Sequence, residues 1–289
     1  MIIVTGGAGF IGSVIIGYLN KKGITDIAVY DDLPEETQFL NLSNKQFSRL
    51  YSSNSLPRQL KNVEAVIHFG AISNTLEKDW AKIYQKNIES TRQWNNLCKK
   101  YNIPLIFASS AAVYGNGNGP LNQYAFSKKI IEQELNSACV LRLFNIYGPN
   151  EYHKNRMAST VYHWYNQHQQ NKEISIFQGS DTFFRDFVYV EDVAKVVLYF
   201  VKNYIPGIYD VGTGNSISFQ TLADEFTKSV QNCKLNYKKM PQDLILQYQT
   251  YSCAFTDNLS KAGFNVKEFI SPSQGVKEYI KYLSNKEYY

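Results

Sequence analysis

The sequence has few cysteines, few charges and no long apolar run. Its four cysteines, Cys98, Cys139, Cys233 and Cys253, stand far apart in 289 residues, with no Cys-x-x-Cys or Cys/His spacing. That pattern excludes a zinc finger and offers no metal site, and a chain this long needs no disulfide framework. The thiols are expected to be free, and buried or half-buried, in a reducing cytoplasm. Charged residues make up 19%, and 30 Lys and Arg against 25 Asp and Glu leave a net charge of only +5. No run of like charges occurs, so there is no footprint for a nucleic acid or an anionic membrane. Residues 1–19, MIIVTGGAGFIGSVIIGYL, are uncharged but lack a basic start and contain Gly6, Gly7, Gly9, Gly12 and Gly17. A strand, a turn and a helix explain them better than a signal peptide does. No other stretch approaches the ~18 apolar residues of a membrane span.

What is present points to a globular chain of about two domains. Hydrophobic residues reach 44%, and 22 Tyr and 17 Phe exclude wholesale disorder. Apolar runs alternate with helix-like stretches through the first half. Ile2–Thr5, Ile27–Tyr30, Val63–Phe69, Pro104–Ala108 and Cys139–Leu143 read as strands. Helices are predicted at about Phe10–Lys21, Asp79–Tyr101 and Tyr124–Leu135. Uninterrupted apolar strands separated by helices imply βαβ units and a parallel sheet covered on both faces. After Asn145 the rhythm changes. Phe187–Val190 and Glu191–Asn203 read as one more strand and helix, while 145–186 and 213–289 show no βαβ repeat. The expected fold is α/β: a Rossmann-type doubly wound parallel sheet from 1–145 and about 187–212, with a smaller C-terminal substrate-binding domain from 146–186 and 213–289.

Three motifs carry chemistry. Gly6-Gly7-Ala8-Gly9-Phe10-Ile11-Gly12 follows a strand and opens a helix, where glycines let the backbone approach a pyrophosphate at the helix N-terminus. Asp31 ends the second strand 19 residues past Gly12, the placement of a carboxylate that binds an adenosine ribose diol. Tyr124-x-x-x-Lys128 puts a phenol and an ammonium on one helix face, and a nearby cation favours phenolate. Alone, such a pair is weak in a chain with 22 tyrosines. Ser109-Ser110 lies just past the fourth predicted strand, where an open parallel sheet binds its ligands.

In this order and context the motifs resemble the extended short-chain dehydrogenase/reductase superfamily, which includes nucleotide-sugar epimerases and dehydratases. Further matching pieces are His68-Phe69-Gly70-Ala71, Asn87, Phe144-Asn145-Ile146-Tyr147-Gly148-Pro149 and Arg185-Asp186-Phe187-Val188-Tyr189. The opening MIIVTGGAGFIGS, the segment Gly148–Ser159 and Phe177-Gln178-Gly179-Ser180 look more narrowly like the ADP-L-glycero-D-manno-heptose 6-epimerases. Those bacterial enzymes make the heptose donor for the lipopolysaccharide core. The resemblance implies an isomerase that oxidises a carbinol carbon transiently and returns hydride to the other face. It implies Tyr124, Lys128 and Ser110 as catalytic residues. Lys154, which most nucleotide-sugar 4-epimerases lack, is implied as a second acid/base on the other face.

The resemblance further implies a tightly held nicotinamide dinucleotide. Its contacts would be Gly6, Gly9, Phe10, Ile11, Gly12, Asp31, Asp32, Gln38, Phe69, Gly70, Ala71, Ile72, Ser73, Asn87, Tyr124, Lys128, Ile146 and Lys154. It places the nucleotide sugar, ADP-heptose by the narrower likeness, against Ser110, Asn145, His163, Phe177, Gln178, Gly179, Ser180, Arg185 and Tyr248. A homo-oligomer is also implied. The family cofactor is NADP, with NAD as the alternative: where the family has Lys and Asn, this chain has Gln38 and Asp32, and two carboxylates without a cation repel a 2′-phosphate. Loops 43–62 and 115–120 are shorter than the family's, and Arg156 replaces a small residue. Other readings are a different nucleotide-sugar epimerase, dehydratase or reductase, or a silent NAD(P)-binding protein. Ala111 and Ala112 put no acid beside Ser110, against a dehydratase, and the retained Tyr124-Lys128 pair counts against a silent binder.

Overall fold

Short apolar runs build the centre of the molecule. The computed structural model describes residues 1–242 and 249–289. Strands β1 (Ile2–Thr5), β2 (Ile27–Tyr30), β3 (Arg49–Tyr51), β4 (Ala65–His68), β5 (Leu105–Ser110) and β6 (Cys139–Leu143) are joined in one sheet by a late strand. Between β6 and that late strand come β7 (Ile146–Tyr147), β8 (Glu173–Phe177), β9 (Phe184–Arg185) and β10 (Val188–Tyr189). The late strand is β11 (Gly207–Val211). The order is β11-β6-β5-β4-β1-β2-β3, parallel throughout. The chain winds one way from β1 to β3 and the other way from β4 onward. The crevice between β1 and β4 is therefore the switch point where such sheets bind ligands.

Side chains alternate across the sheet, and each face has its own core. Ile2, Val4, Ile27, Val29 and Ile67 pack with Val14, Ile15 and Leu19 of helix α1 (Phe10–Lys21) and with Val193, Val197 and Phe200 of a later helix. Ile3, Ala28, Val66 and Phe107 face the other way, against Trp94, Cys98 and Ile131. Burial on both faces is why these strands read as unbroken apolar runs.

The helix expected over Asp79–Tyr101 runs that length in three parts. Its pieces are α2 (Trp80–Ile83), a π-helical turn at Tyr84–Glu89, and α3 (Ser90–Tyr101). The helix expected from Tyr124 is α4 (Gln123–Glu132), capped by Asn122. Helices α5 (Thr160–Asn171) and α6 (Val190–Lys202) follow. Beyond β11 come β12 (Ile217–Ser218), α7 (Phe219–Ser229), β13 (Lys234–Lys238), α8 (Asp257–Lys261) and α9 (Pro272–Asn285). A third core joins Val161, Trp164, Ile174, Phe226, Val276 and Tyr279.

One expectation is corrected. Phe187–Val190 does not extend the main sheet. Only Val188 and Tyr189 are extended, and they pair with Ile146 and Tyr147 in a separate ribbon. The seventh main strand is Gly207–Val211, whose Gly207, Tyr209 and Asp210 interrupt the apolar pattern. All four cysteines are free thiols, Cys98 and Cys139 buried, Cys233 and Cys253 half-buried. No described helix is long and apolar enough to cross a membrane.

Candidate active site

The glycine turn lies at the switch point and is built for close approach. Gly6 has φ +65°, and a Cβ there would meet the Gly70 backbone nitrogen at 2.7 Å. A Cβ on Gly12 would meet the Gly6 carbonyl oxygen at 2.2 Å. Gly9 differs: a Cβ there would meet only Gly6 O, at 3.1 Å, so space lies in front of it. Gly9 is also the N-cap of α1 and supplies no side-chain cap, and the first turn holds no acid. The free amides of Phe10, Ile11 and Gly12 and the positive end of the helix dipole thus form an open seat for an anion.

Asp31 stands beside this seat. Its Oδ2 accepts from Ala8 N at 3.0 Å and its Oδ1 from Leu33 N at 3.0 Å, and buried Gln38 reaches Oδ1 at 3.4 Å. Burial pushes the carboxyl up, against the Leu33 and Ala8 amides. Oδ2, with the Ala8 amide as its donor, keeps a lone pair for a hydroxyl. Asp32 turns to β3, accepting from Ser52 Oγ at 2.7 Å and Ser53 N at 2.8 Å, with Lys86 Nζ at 3.3 Å. Burial raises its carboxyl, but the bonds from Ser53, Ser52 and Lys86 hold it down to about 2. Lys86 is committed to Asp32, to Ser53 Oγ at 3.0 Å and to Asn54 Oδ1 at 2.9 Å. The open amide seat and the Asp31 carboxylate beside it fit a nicotinamide dinucleotide, and the ionised Asp32 fits one without a 2′-phosphate.

The loop Phe69–Ser73 closes the crevice and is held from beneath. Asn87 is fully buried in the π-helical turn. Its Oδ1 accepts from Ile72 N at 2.8 Å, and its Nδ2 donates to Ile72 O at 3.1 Å and Ser127 Oγ at 3.0 Å. In this structure Asn87 positions the loop and ties it to α4. His68 spans Thr5 Oγ1 at 2.7 Å and Thr91 Oγ1 at 3.0 Å, and Gly70 N donates to Thr5 Oγ1 at 3.1 Å. Burial, helped by Lys128, holds the His68 imidazole down to about 3, so it is neutral.

Tyr124 and Ser110 meet at the end of β5. The phenol is pushed up by burial, while a hydrogen bond with Ser110 pulls the other way. Ser110 Oγ also caps the next turn, accepting from Ala112 N at 3.1 Å. Lys128 is buried, with Nζ 2.7 Å from Ala108 O and 4.5 Å from the Phe107 ring centroid. Burial lowers its ammonium to about 7, against Glu132. The expected tuning of Tyr124 by the Lys128 charge is therefore not what sets the phenol here. The lysine reaches past it to the strand, and burial and Ser110 dominate.

Lys154 belongs to the turn Tyr152–Met157 and is half-buried, Nζ 5.3 Å from the centroid of Phe10. Burial lowers its ammonium, and Glu151 opposes that. Its loop is fastened to the glycine turn. Asn41 Nδ2 lies 2.9 Å from Ala8 O, 3.1 Å from Asn150 O and 3.2 Å from His153 Nδ1. Asn150 Nδ2 donates to Ser13 Oγ of α1 at 2.9 Å. Buried Glu151 accepts from the Ser159 amide and hydroxyl. Asn41, Asn150 and Glu151 escaped the motif reading; the only sequence signal was their place inside the Gly148–Ser159 match and the Gln38 loop.

Exposed Asn145, at φ +21°, donates to Asp186 O at 3.2 Å and Ser252 Oγ at 3.1 Å, and half-buried Ile146 follows in β7. The Phe177–Ser180 segment makes a turn with Gly179 at φ +81°, and Ser180 Oγ lies 3.2 Å from Gln220 Oε1. Arg185 is buried, Nη1 2.9 Å from Phe184 O, Nη2 bonded to Gln249 O, with its guanidinium over the Phe219 ring. His163 is half-buried near the start of α5, its ring beside Tyr162. Tyr248 lies outside the described residues.

The chain belongs to the NAD dependent epimerase/dehydratase family, whose model matches residues 2–212. That family's description covers NAD-dependent epimerases and dehydratases. Its fold is similar to a UDP-N-acetylglucosamine 4-epimerase from Methanobrevibacter ruminantium M1, at TM-score 0.86 and 22% identity over 99% of this chain and 98% of that one. It is also similar to the Helicobacter pylori ADP-L-glycero-D-manno-heptose-6-epimerase, at 0.83 and 24% over 98% and 96%. A UDP-glucuronic acid 4-epimerase from Bacillus cereus, solved with UDP-glucuronic acid and NAD, matches at 0.80 and 22% over 99% of both chains.

Proposed function

We propose that the protein is a two-base nucleotide-sugar epimerase, acting on ADP-glycero-manno-heptose at C-6 and holding NAD tightly. The observation that carries this reading is the placement of its two proton carriers. Tyr124 is on α4, which packs on one face of the sheet. Lys154 rests on Phe10 of α1, which packs on the other face. One carbon held at the strand ends is thus approachable from two sides. Bound at the glycine turn, the dinucleotide supplies reversible hydride transfer at a carbinol carbon.

The chain supplies the rest. Tyr124 carries the hydroxyl proton at its phenolic oxygen for one epimer, and Lys154 carries it at Nζ for the other. Burial lowers the lysine's ammonium, which eases its deprotonation. Ser110 hydrogen-bonds the substrate oxygen. Lys128 holds the nicotinamide ribose. Asp31 takes the adenosine ribose, and the ionised Asp32 at its side favours NAD over the NADP expected from the family resemblance. Arg185 and the Phe177–Ser180 turn hold the nucleotide end of the substrate.

Support for the heptose substrate comes from the Gly148–Ser159 segment with its Lys154 and from the likeness to the Helicobacter pylori enzyme. The second reading, a UDP-sugar 4-epimerase using Tyr124 alone, is favoured by the short Gly115–Gly119 turn, which leaves room at the strand ends. The test is incubation of purified protein with ADP-D-glycero-D-manno-heptose and, separately, UDP-glucose, without added cofactor or reductant, following stereochemistry by NMR. Inversion at C-6 of the heptose supports the first reading. Inversion at C-4 of glucose alone supports the second.

A further inference from the structure

Beyond β5 the chain makes a very small turn. Gly117 N and Gly119 N both donate to Tyr114 O, at 3.0 and 3.3 Å, and a Cβ on Gly115 would meet Gly119 O at 1.9 Å. A turn this tight leaves the strand ends uncovered. Beside it lies a cavity of about 440 Å³, within the range of small-molecule sites. Tyr114, Phe144, Tyr251 and Phe255 supply apolar walls, and Asp210 lines the cavity from β11. Its inner end adjoins the reaction centre: Ala111 follows Ser110, Phe144 precedes Asn145, and Ser252 accepts from the Asn145 amide.

Among the described residues, the cavity's charge has one sign. Asp210 Oδ1 accepts from Tyr114 OH at 2.7 Å and Oδ2 from Phe255 N at 3.0 Å, and each oxygen keeps a lone pair for a further donor. The nearby cation is already matched. Arg142 forks onto Glu132 at 3.0 and 2.6 Å and gives Nη1 to Tyr114 OH at 2.7 Å. Glu132 and Arg142 cancel, so Asp210 leaves the wall net negative. Aromatic faces with a hydrogen-bond acceptor suit a hydroxylated carbon chain, whereas a second carboxylate would be repelled in a partly desolvated space.

We propose that this cavity receives the part of the sugar beyond the reacting carbon, and that Asp210 restricts it to uncharged, hydroxyl-bearing groups and rejects carboxylates. The proposal rests on the nucleotide-sugar reading above. It adds a selectivity rule that the reading does not contain.

Half-buried Cys253 lines the cavity and reports its occupancy, while half-buried Cys233, outside the lining, serves as reference. The purified protein with its retained cofactor is treated with iodoacetamide alone or with ADP-D-glycero-D-manno-heptose, UDP-glucose or UDP-glucuronic acid. Alkylation at each cysteine is read by peptide mass spectrometry, and binding is measured by calorimetry. A neutral sugar nucleotide that binds is expected to slow alkylation of Cys253 and not of Cys233. UDP-glucuronic acid is expected to bind about tenfold or more weakly than UDP-glucose, and Asp210→Asn to remove most of that gap. Equal binding and protection by UDP-glucuronic acid in the unaltered protein would overturn the role of Asp210 without any variant. Tight binding that leaves Cys253 unprotected would overturn the cavity proposal alone. Binding of none of the three, with cofactor retained, would overturn the nucleotide-sugar reading and the proposal with it.

Discussion

The ammonium of Lys154 lies 5.3 Å from the centre of the Phe10 ring, at the mouth of the glycine turn. A loop lysine with no task would keep its charge in water. This one is half-buried, its charge disfavoured by that burial, on a loop that Asn41 and Asn150 bind to the first βα unit. The proposed second proton carrier is thereby fixed relative to the glycine turn.

The glycines of that seat should separate fold from binding. Gly12→Ala has no room, with backbone at 2.2 Å, and should lower stability by about 1–3 kcal/mol or more. Gly9→Val points into open space and should keep the fold while losing the dinucleotide. Thermal melting, together with mass spectrometry of nucleotide released on denaturation, checks both. A Gly9→Val protein that still carries a full complement of nucleotide would contradict the seat.

Cofactor choice should follow the Asp32–Lys86 pair. Asp32→Asn with Gln38→Lys removes a carboxylate that hydrogen bonds hold down to about 2, frees Lys86 and adds a cation. Competitive titration of the apoprotein should move toward NADP by about tenfold, ~1.4 kcal/mol, the scale of one good phosphate contact. An unchanged ratio would place the discrimination elsewhere.

Lys128 should leave a pH signature in stability. Its folded value, about 7, lies below the ordinary 10.5, so between those values the unfolded chain binds the extra proton. Stability of the cofactor-free protein should therefore rise as pH increases through that window, and the burden should be fully present below about 7. Urea denaturation at several pH values, repeated with Lys128→Met, tests this: the variant should lose that rise.

Asn87 should matter through the loop it holds. Asn87→Ala leaves the half-buried Ile72 amide and the buried Ser127 hydroxyl without that partner, which costs about 1–3 kcal/mol. Cofactor affinity should fall with it, because Phe69–Ser73 loses its tether. Unfolding curves and dinucleotide titration read the two effects separately.

Much of this architecture was legible because burial on both faces leaves a simple mark. Ile2–Thr5, Ile27–Tyr30 and Cys139–Leu143 fold as strands over those very residues. Arg49–Tyr51 escaped notice because an exposed edge strand needs no apolar run. Gly207–Val211 escaped because Tyr209 and Asp210 break the pattern, and Asp210 does so to bind Tyr114. Tyr124, Lys128 and the glycine turn were readable because their spacing is local. Asn41, whose partners lie 33 and 109 residues away, and the Glu132–Arg142–Tyr114–Asp210 chain were not, since contacts made across the fold leave no periodicity in sequence.

The two-base account is tested most directly by Lys154→Met and Tyr124→Phe, each assayed twice. Net epimerisation of ADP-glycero-manno-heptose is followed by NMR, and the half-reaction is followed with an aldehyde analogue that dismutates in the site. Each variant should lose net epimerisation by about 10²–10⁴-fold or more, the usual worth of a general acid or base, while retaining dismutation. A Lys154→Met enzyme that epimerises at the normal rate would contradict the account and leave Tyr124 as the only proton carrier.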